Sequence, residues 1–260
     1  MSAWYDVHGD GPAVALIHAG VADSRMWEPQ LHSLPDSHTV LRVDLPGFGR
    51  SPFESDAVDY CGALRAALDE AGIDRAALVG TSLGGNTALE LALESPERVA
   101  ALVLVGAGID DHAWSEEVKA FFTAEDNALQ RGDIEAAVDE NLRMWLAGPS
   151  RNLDAVDPGV RELVAEMQRN AFRLSEGHDN LHRVRLDPPE SRRLGEVRVP
   201  TLVVTGDEDV DDIHRIADRL AAEIPGASRA TVPGAAHLPS LERPAEFDRI
   251  VLGFLAEHGV

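Results

Sequence analysis

Ala76-Ala77-Leu78-Val79-Gly80-Thr81-Ser82-Leu83-Gly84-Gly85 joins a strand-like run to a helical one through a serine at the bend. Ala76 to Val79 is a short apolar run of the kind buried in a parallel sheet, and Leu89 and Leu93 recur at helical spacing from Gly85 to Glu94. A serine in such a turn projects its hydroxyl above the sheet edge. The glycines Gly80 and Gly84 remove side chains that would collide with the tight backbone. The helix that follows directs its positive end at the serine oxygen and favours negative charge forming there.

The rest of the chain repeats the same alternation. Ala13 to Ile17 and Thr39 to Asp44 are predicted strands, and Met26, Trp27 and Leu31 give a short helical face between them. A weak helix is expected over Ala57 to Ala71 with Gly72 as its stop. Val99 to Val105 is a further buried strand, followed after Val199-Pro200 by Thr201 to Thr205, a helix near Ile213 to Glu223 and a last strand near Arg229 to Val232. Pro244 opens a terminal helix with Phe247, Ile250, Val251 and Phe254 on one face. Strands alternating with helices imply a mostly parallel sheet covered on both faces.

Between Asp110 and Arg193 the pattern changes to helical periods without a convincing strand. Ile134, Ala137, Val138, Asn141, Leu142 and Trp145 form one stripe, and Leu163, Val164 and Met167 lie on another. The division is therefore a core of residues 1–109 and 194–260 with an insertion at 110–193.

The 260 residues suit one such domain. With 45 acidic against 23 basic residues the formal charge is −22, which repels nucleic-acid backbones and anionic membrane surfaces. The single cysteine, Cys61, excludes an internal disulfide and a thiolate metal cluster, and reads as a small buried hydrophobe. Met1 to Asp10 lacks the basic and apolar pattern of a secretory signal, and no apolar run is long enough to span a bilayer. The expectation is a soluble, cytoplasmic protein with a small-molecule partner; oligomeric state is left open.

A serine hydroxyl at neutral pH needs a base, and the base needs an orienting carboxylate. Gly234-Ala235-Ala236-His237 places a histidine in a small-residue loop after the last strand. Gly206-Asp207-Glu208-Asp209 places carboxylates outside the carboxyl end of the preceding strand, where sites of open α/β sheets collect. Ser82, Asp209, His237 is the chain order of a serine-centred triad on this kind of sheet, with Asp207 and Glu208 competing for the acid role.

These motifs, with His18-Ala19-Gly20 and Asp44-Leu45-Pro46-Gly47-Phe48-Gly49-Arg50-Ser51, resemble the α/β-hydrolase superfamily over essentially the whole chain. The resemblance implies Ser82 as nucleophile, His237 as base and Asp209 as acid. It also implies an oxyanion hole from the backbone N–H groups of Leu83 and Gly20, and a helical cap formed by 110–193. The usual His-Gly is His18-Ala19 here, which leaves Val21 as the alternative to Gly20. The tail His237-Leu238-Pro239-Ser240-Leu241-Glu242-Arg243-Pro244 looks most like the branch of 3-oxoadipate enol-lactonases and small-ester hydrolases.

Serine at the elbow selects acyl transfer, so ester or lactone hydrolysis leads and carbon–carbon bond hydrolysis of ring-cleavage products is the enzymatic alternative. Relatives that open epoxides or remove halide use a carboxylate there. A ligand-binding scaffold without catalysis is the contrasting class. No organic cofactor is implied. His178 and His182 stand four residues apart and could share a metal if both lay on one helical turn. Arg143, Arg151, Arg169 and Arg173 are the candidate cations for an anionic substrate, while His18 and Asp44 read as structural.

Overall fold

Residues 3–178 and 180–260 are described by the computed structural model. Its first strand, Tyr5–His8 (β1), is one that the apolar pattern did not predict: three of its residues are half-buried and Val7 is exposed. It is an antiparallel edge strand on Thr39–Val43, so only one side of it meets the sheet. Ala13–Ile17 (β2) and Thr39–Val43 (β3) form as expected. The helical face expected around Met26 is instead three short 3-10 turns; Pro29 and Pro35 stand at the starts of the second and third and have no N–H to continue a helix.

Ala57–Val58 (β4) takes the first residues of the helix predicted at Ala57, which begins only at Tyr60–Glu70 (α1). Asp59 caps it by accepting the Gly62 N–H at 2.7 Å. Then come Ala76–Thr81 (β5), Leu83–Glu94 (α2) and Val99–Val105 (β6). The next part of the chain is helical: Glu116–Gln130 (α3), Ile134–Asn141 (α4) and Pro158–Ser175 (α5). One correction applies there. His182–Arg183 (β7) pairs in parallel with β4, a two-residue ladder too short to show as periodicity. Thr201–Gly206 (β8), Asp211–Glu223 (α6), Ser228–Val232 (β9), Pro239–Glu242 (α7) and Pro244–Glu257 (α8) complete the chain.

The main sheet has the order β1-β3-β2-β5-β6-β8-β9, and every pair except β1 with β3 is parallel. From β2 the chain steps to β3 on one side and then to β5 on the other. The topological switch point therefore lies between β2 and β5, and a crevice opens above their carboxyl ends. β5 is buried along its whole length, and Leu78, Leu89 and Leu91 around the elbow are fully buried. Each such side chain contributes about 2 kcal/mol of burial, which anchors the turn between strand and helix.

Helices α3 and α4 pack on each other and α5 packs on α4. Phe121, Val164 and Met167 from these helices belong to one apolar cluster with the sheet residues. Between α4 and α5 the helix widens into a π turn over Leu142–Ala147, ended by Gly148 at φ 74°.

Candidate active site

Ser82 adopts φ 52° and ψ −111°, a backbone region that costs a non-glycine residue energy. The conformation is held from both sides. Its N–H donates to the Val105 carbonyl at 2.8 Å, and its own carbonyl accepts the Asn86 N–H at 3.0 Å. A β-carbon on Gly80 would run into the Gly84 and Gly85 backbone, and one on Gly84 into the carbonyls of Ile17 and His18. These two glycines let α2 start hard against the sheet.

His237 follows β9 and Asp209 follows β8, both at the carboxyl edge of the sheet above Ser82. His237 Nδ1 lies 2.8 Å from Asp209 Oδ2, and the two side chains are 2% and 1% exposed. The other oxygen, Asp209 Oδ1, accepts the Val210 N–H at 2.8 Å. Asp207 and Glu208 are placed elsewhere. Asp207 accepts the Gly234 N–H at 2.6 Å and Glu208 meets the Ser150 hydroxyl. Among the three carboxylates of this loop, Asp209 is the one at the imidazole.

Ser82, Leu83 and His237 open on one cavity of about 600 Å³ together with Gly20 and Val21 from the loop after β2. Leu83 is the first residue of α2, so its N–H has no acceptor within the helix. The cavity is mainly apolar, with Phe121, Phe122 and Trp145 on its wall from the 110–193 segment. Trp145 also holds the histidine: its carbonyl accepts the His237 N–H at 3.1 Å and its ring centroid is 4.7 Å from the imidazole.

His18 supports the loop that carries Gly20. The Leu45 N–H donates to His18 Nε2 at 2.9 Å, which assigns the proton to Nδ1, and Nδ1–H donates to the Ala19 carbonyl at 2.8 Å. Complete burial pushes its pKa below the ordinary histidine value, so the ring is a neutral brace. Asp44 is likewise structural: it accepts the N–H groups of Ser24 at 2.8 Å and Arg50 at 3.0 Å.

The expected cations are not the ones at the cavity. Arg151 bonds the carbonyls of Leu146, Ala147 and Gly234 and pairs with Glu242 at 2.6 Å, tying the π turn to the histidine loop. Arg169 pairs with Glu135 and Glu162, Arg143 with Asp139 and Glu140, and Arg173 borders a separate polar recess. The arginines that line the cavity are Arg183, in β7, and Arg185, two residues after it, and sequence periodicity gave no sign of either. Arg183 pairs with Glu90 at 2.6 Å and Arg185 with Asp110.

The metal possibility for His178 and His182 needs a shared helical turn, and α5 ends at Ser175 with Gly177 at φ 81°. His178 instead meets Phe53, and His182 lies in β7. Among the described residues no group of three or more His, Cys, Asp or Glu could hold a metal ion. Burial, with Glu94 beside it, pushes the Cys61 thiol well above its ordinary pKa, which leaves it unreactive. No helix of the described residues is long and apolar enough to cross a membrane.

The family model described as alpha/beta hydrolase fold matches residues 12–244. The protein of Variovorax paradoxus named as carbamate hydrolase RutD is 32% identical, covering 98% of this chain and 97% of its own. The 2-hydroxy-6-oxo-6-phenylhexa-2,4-dienoate hydrolase of Burkholderia cepacia is 29% identical over 95% of this chain and 89% of its own. Among solved structures, Est816, described as an N-acyl homoserine lactone degrading enzyme, superposes with a TM-score of 0.76 at 25% identity, covering 97% of this chain and 96% of that one.

Proposed function

The chain belongs to the α/β-hydrolase family and is a hydrolase, and from that premise we propose that it cleaves a carboxylic ester or lactone through an acyl-enzyme on Ser82. The observation that carries this reading is that a strained, half-buried Ser82 lines the same apolar cavity as His237 of the buried His237–Asp209 pair.

In the proposed mechanism, Ser82 Oγ attacks the substrate carbonyl while His237 Nε2 takes its proton. Asp209 fixes the Nδ1–H tautomer and stabilises the imidazolium. The oxyanion is stabilised by the Leu83 N–H at the start of α2 and by Gly20, or Val21, across the switch point. His237 then protonates the leaving group and activates the water that releases the acid. Residues 110–193 form the cap, which excludes bulk water and shapes the acyl pocket.

The charge pattern weighs against an anionic enol-lactone or dienoate as substrate. Arg183 and Arg185 are already neutralised by Glu90 and Asp110, and a net charge of −22 opposes the approach of anions. The similarity to a dienoate hydrolase keeps carbon–carbon cleavage as the second reading, since it would use the same three residues.

The test is hydrolysis of short-chain nitrophenyl esters by the purified protein. Ser82→Ala and His237→Ala should each lower kcat by orders of magnitude, with the double variant little worse than either single one. Effects that multiply would remove His237 from the role of base. Turnover of a dienoate in preference to every ester would move the reading to carbon–carbon cleavage.

A further inference from the structure

The ionisable residues lining the cavity are Asp110, Glu125, Arg183, Arg185 and His237. Four of them have a charged partner: Arg185 with Asp110, Arg183 with Glu90, and His237 with Asp209. Glu125, on α3, is the exception. Among the described residues it meets only the neutral Asn141 amide. Burial raises its pKa, Asp126 adds to the rise, and the Asn141 bond offsets part of it. A charged carboxylate in an apolar wall without a cation is costly unless it takes a proton or a ligand supplies the missing charge.

Two further polar side chains line the same cavity. Asn141, 4% exposed on α4, commits both Nδ2 hydrogens, one to Glu125 and one to the Ala137 carbonyl at 2.9 Å. Its remaining hydrogen-bonding capacity is the acceptor Oδ1. Gln168, 4% exposed on α5, lines the cavity with its Oε1 unpartnered. A buried amide oxygen without a donor is an unmet requirement in an otherwise apolar space. Helices α3, α4 and α5 thus each bring a carboxyl or amide side chain to the cavity lining, and an ammonium group carries three N–H donors on one positive charge.

We propose that Glu125, Asn141 and Gln168 form a subsite for a protonated amine, so that the preferred substrate carries an aliphatic ammonium group remote from its scissile carbonyl. The charge of −22 favours the approach of such a substrate. Glu125 supplies the counter-charge, Gln168 and Asn141 the neutral acceptors, and the aromatic wall takes the intervening methylenes. As a statement about substrate, this rests on the acyl-transfer reading; as a statement about binding, it does not.

The experiment has two arms, both at about 0.15 M salt so that the distant field is screened. In the first, calorimetry on the full chain compares hexylammonium, hexanol and hexanoate. Hexylammonium should bind at least about tenfold more tightly than hexanol, as a charge-assisted bond in a dry site requires, and hexanoate most weakly. In the second, the ratio of kcat/KM for 4-nitrophenyl 6-aminohexanoate over 4-nitrophenyl heptanoate is read in the wild type, Glu125→Gln and Gln168→Leu. Glu125→Gln should lower that ratio about tenfold and Gln168→Leu severalfold. Gln168→Leu tests the subsite independently if Glu125→Gln fails to fold. Equal binding of hexylammonium and hexanol, or a ratio unchanged in the folded variants, overturns the subsite. Glu125-dependent ammonium binding without Ser82-dependent turnover keeps the subsite and removes the acyl-transfer reading. Ser82-dependent turnover without ammonium preference does the reverse.

Discussion

Trp145 holds His237 at two points, through a carbonyl that accepts the histidine N–H at 3.1 Å and an indole 4.7 Å from the imidazole centroid. Both contacts are made from within the π turn over Leu142–Ala147. Arg151 and Glu242 then lock that turn to the loop carrying the histidine: Glu242 accepts the Ala236 N–H at 2.8 Å and pairs with Arg151 at 2.6 Å. His237 is thus positioned by the helical segment as well as by the sheet loops.

Trp145→Ala should lower stability by about 3 kcal/mol, as expected for emptying a large buried aromatic site, and should reduce kcat by loosening the imidazole. Trp145→Phe keeps a ring on the histidine and should stay close to the wild type in kcat. Thermal unfolding and ester kinetics on both variants check this. A kcat for Trp145→Ala equal to that of the wild type would show that the sheet loops position His237 unaided.

The acid role separates two aspartates two residues apart. Asp209→Asn should lower kcat by about 10³–10⁴-fold, because the imidazolium loses its counter-charge and its fixed tautomer. Asp207→Asn removes only a charged acceptor from the Gly234 N–H and should cost a few-fold at most. A reversed ranking in steady-state kinetics would transfer the acid role to Asp207.

Ser82 stores backbone strain at φ 52° that glycine would not feel. Ser82→Gly should therefore raise stability by about 1 kcal/mol relative to Ser82→Ala while both are inactive. The comparison within this pair removes the effect of losing the hydroxyl. If Ser82→Gly unfolds at a lower temperature than Ser82→Ala, the elbow is not strained to that extent.

What the sequence made legible here follows from how local each signal is. The Ser82 turn needs only adjacent glycines between a strand and a helix, so it can be read residue by residue. Strands β2, β3, β5, β6 and β8 announce themselves because they are buried on both faces and carry apolar runs. β1 was missed because an antiparallel edge strand with Asp6 and His8 in it has no such run. Arg183 and Arg185 were missed because a two-residue ladder with β4 is a tertiary event, and the arginines chosen in their place satisfy helix-surface carboxylates or backbone carbonyls. Asn141 was visible on an apolar stripe, where a polar residue signals a buried partner; that the partner is Glu125, sixteen residues earlier, depends on how α3 and α4 pack.

The titration of Glu125 gives a test that needs no substrate. Its folded-state pKa lies above the ordinary 4.5, chiefly because burial disfavours the charged form, with Asp126 contributing. A group whose pKa is raised on folding binds its proton more tightly in the folded state. Its contribution to stability is complete below 4.5 and is lost as the pH rises through the folded value. Glutamine mimics the neutral acid and keeps an acceptor for Asn141, so Glu125→Gln carries no such loss. The stability advantage of Glu125→Gln over the wild type should therefore be smallest near pH 4, grow as the pH rises, and level off above the raised pKa, followed by denaturant unfolding from about pH 4 to about pH 8. Taking the difference between the two proteins cancels the other carboxylates, including Glu90 and Glu242, whose values burial also raises. Hexylammonium should narrow the gap at high pH by stabilising the charged wild type alone. A gap that stays constant or shrinks with rising pH would mean that Glu125 is not desolvated in the folded protein, and the cavity wall would then lack the uncompensated charge assigned to it.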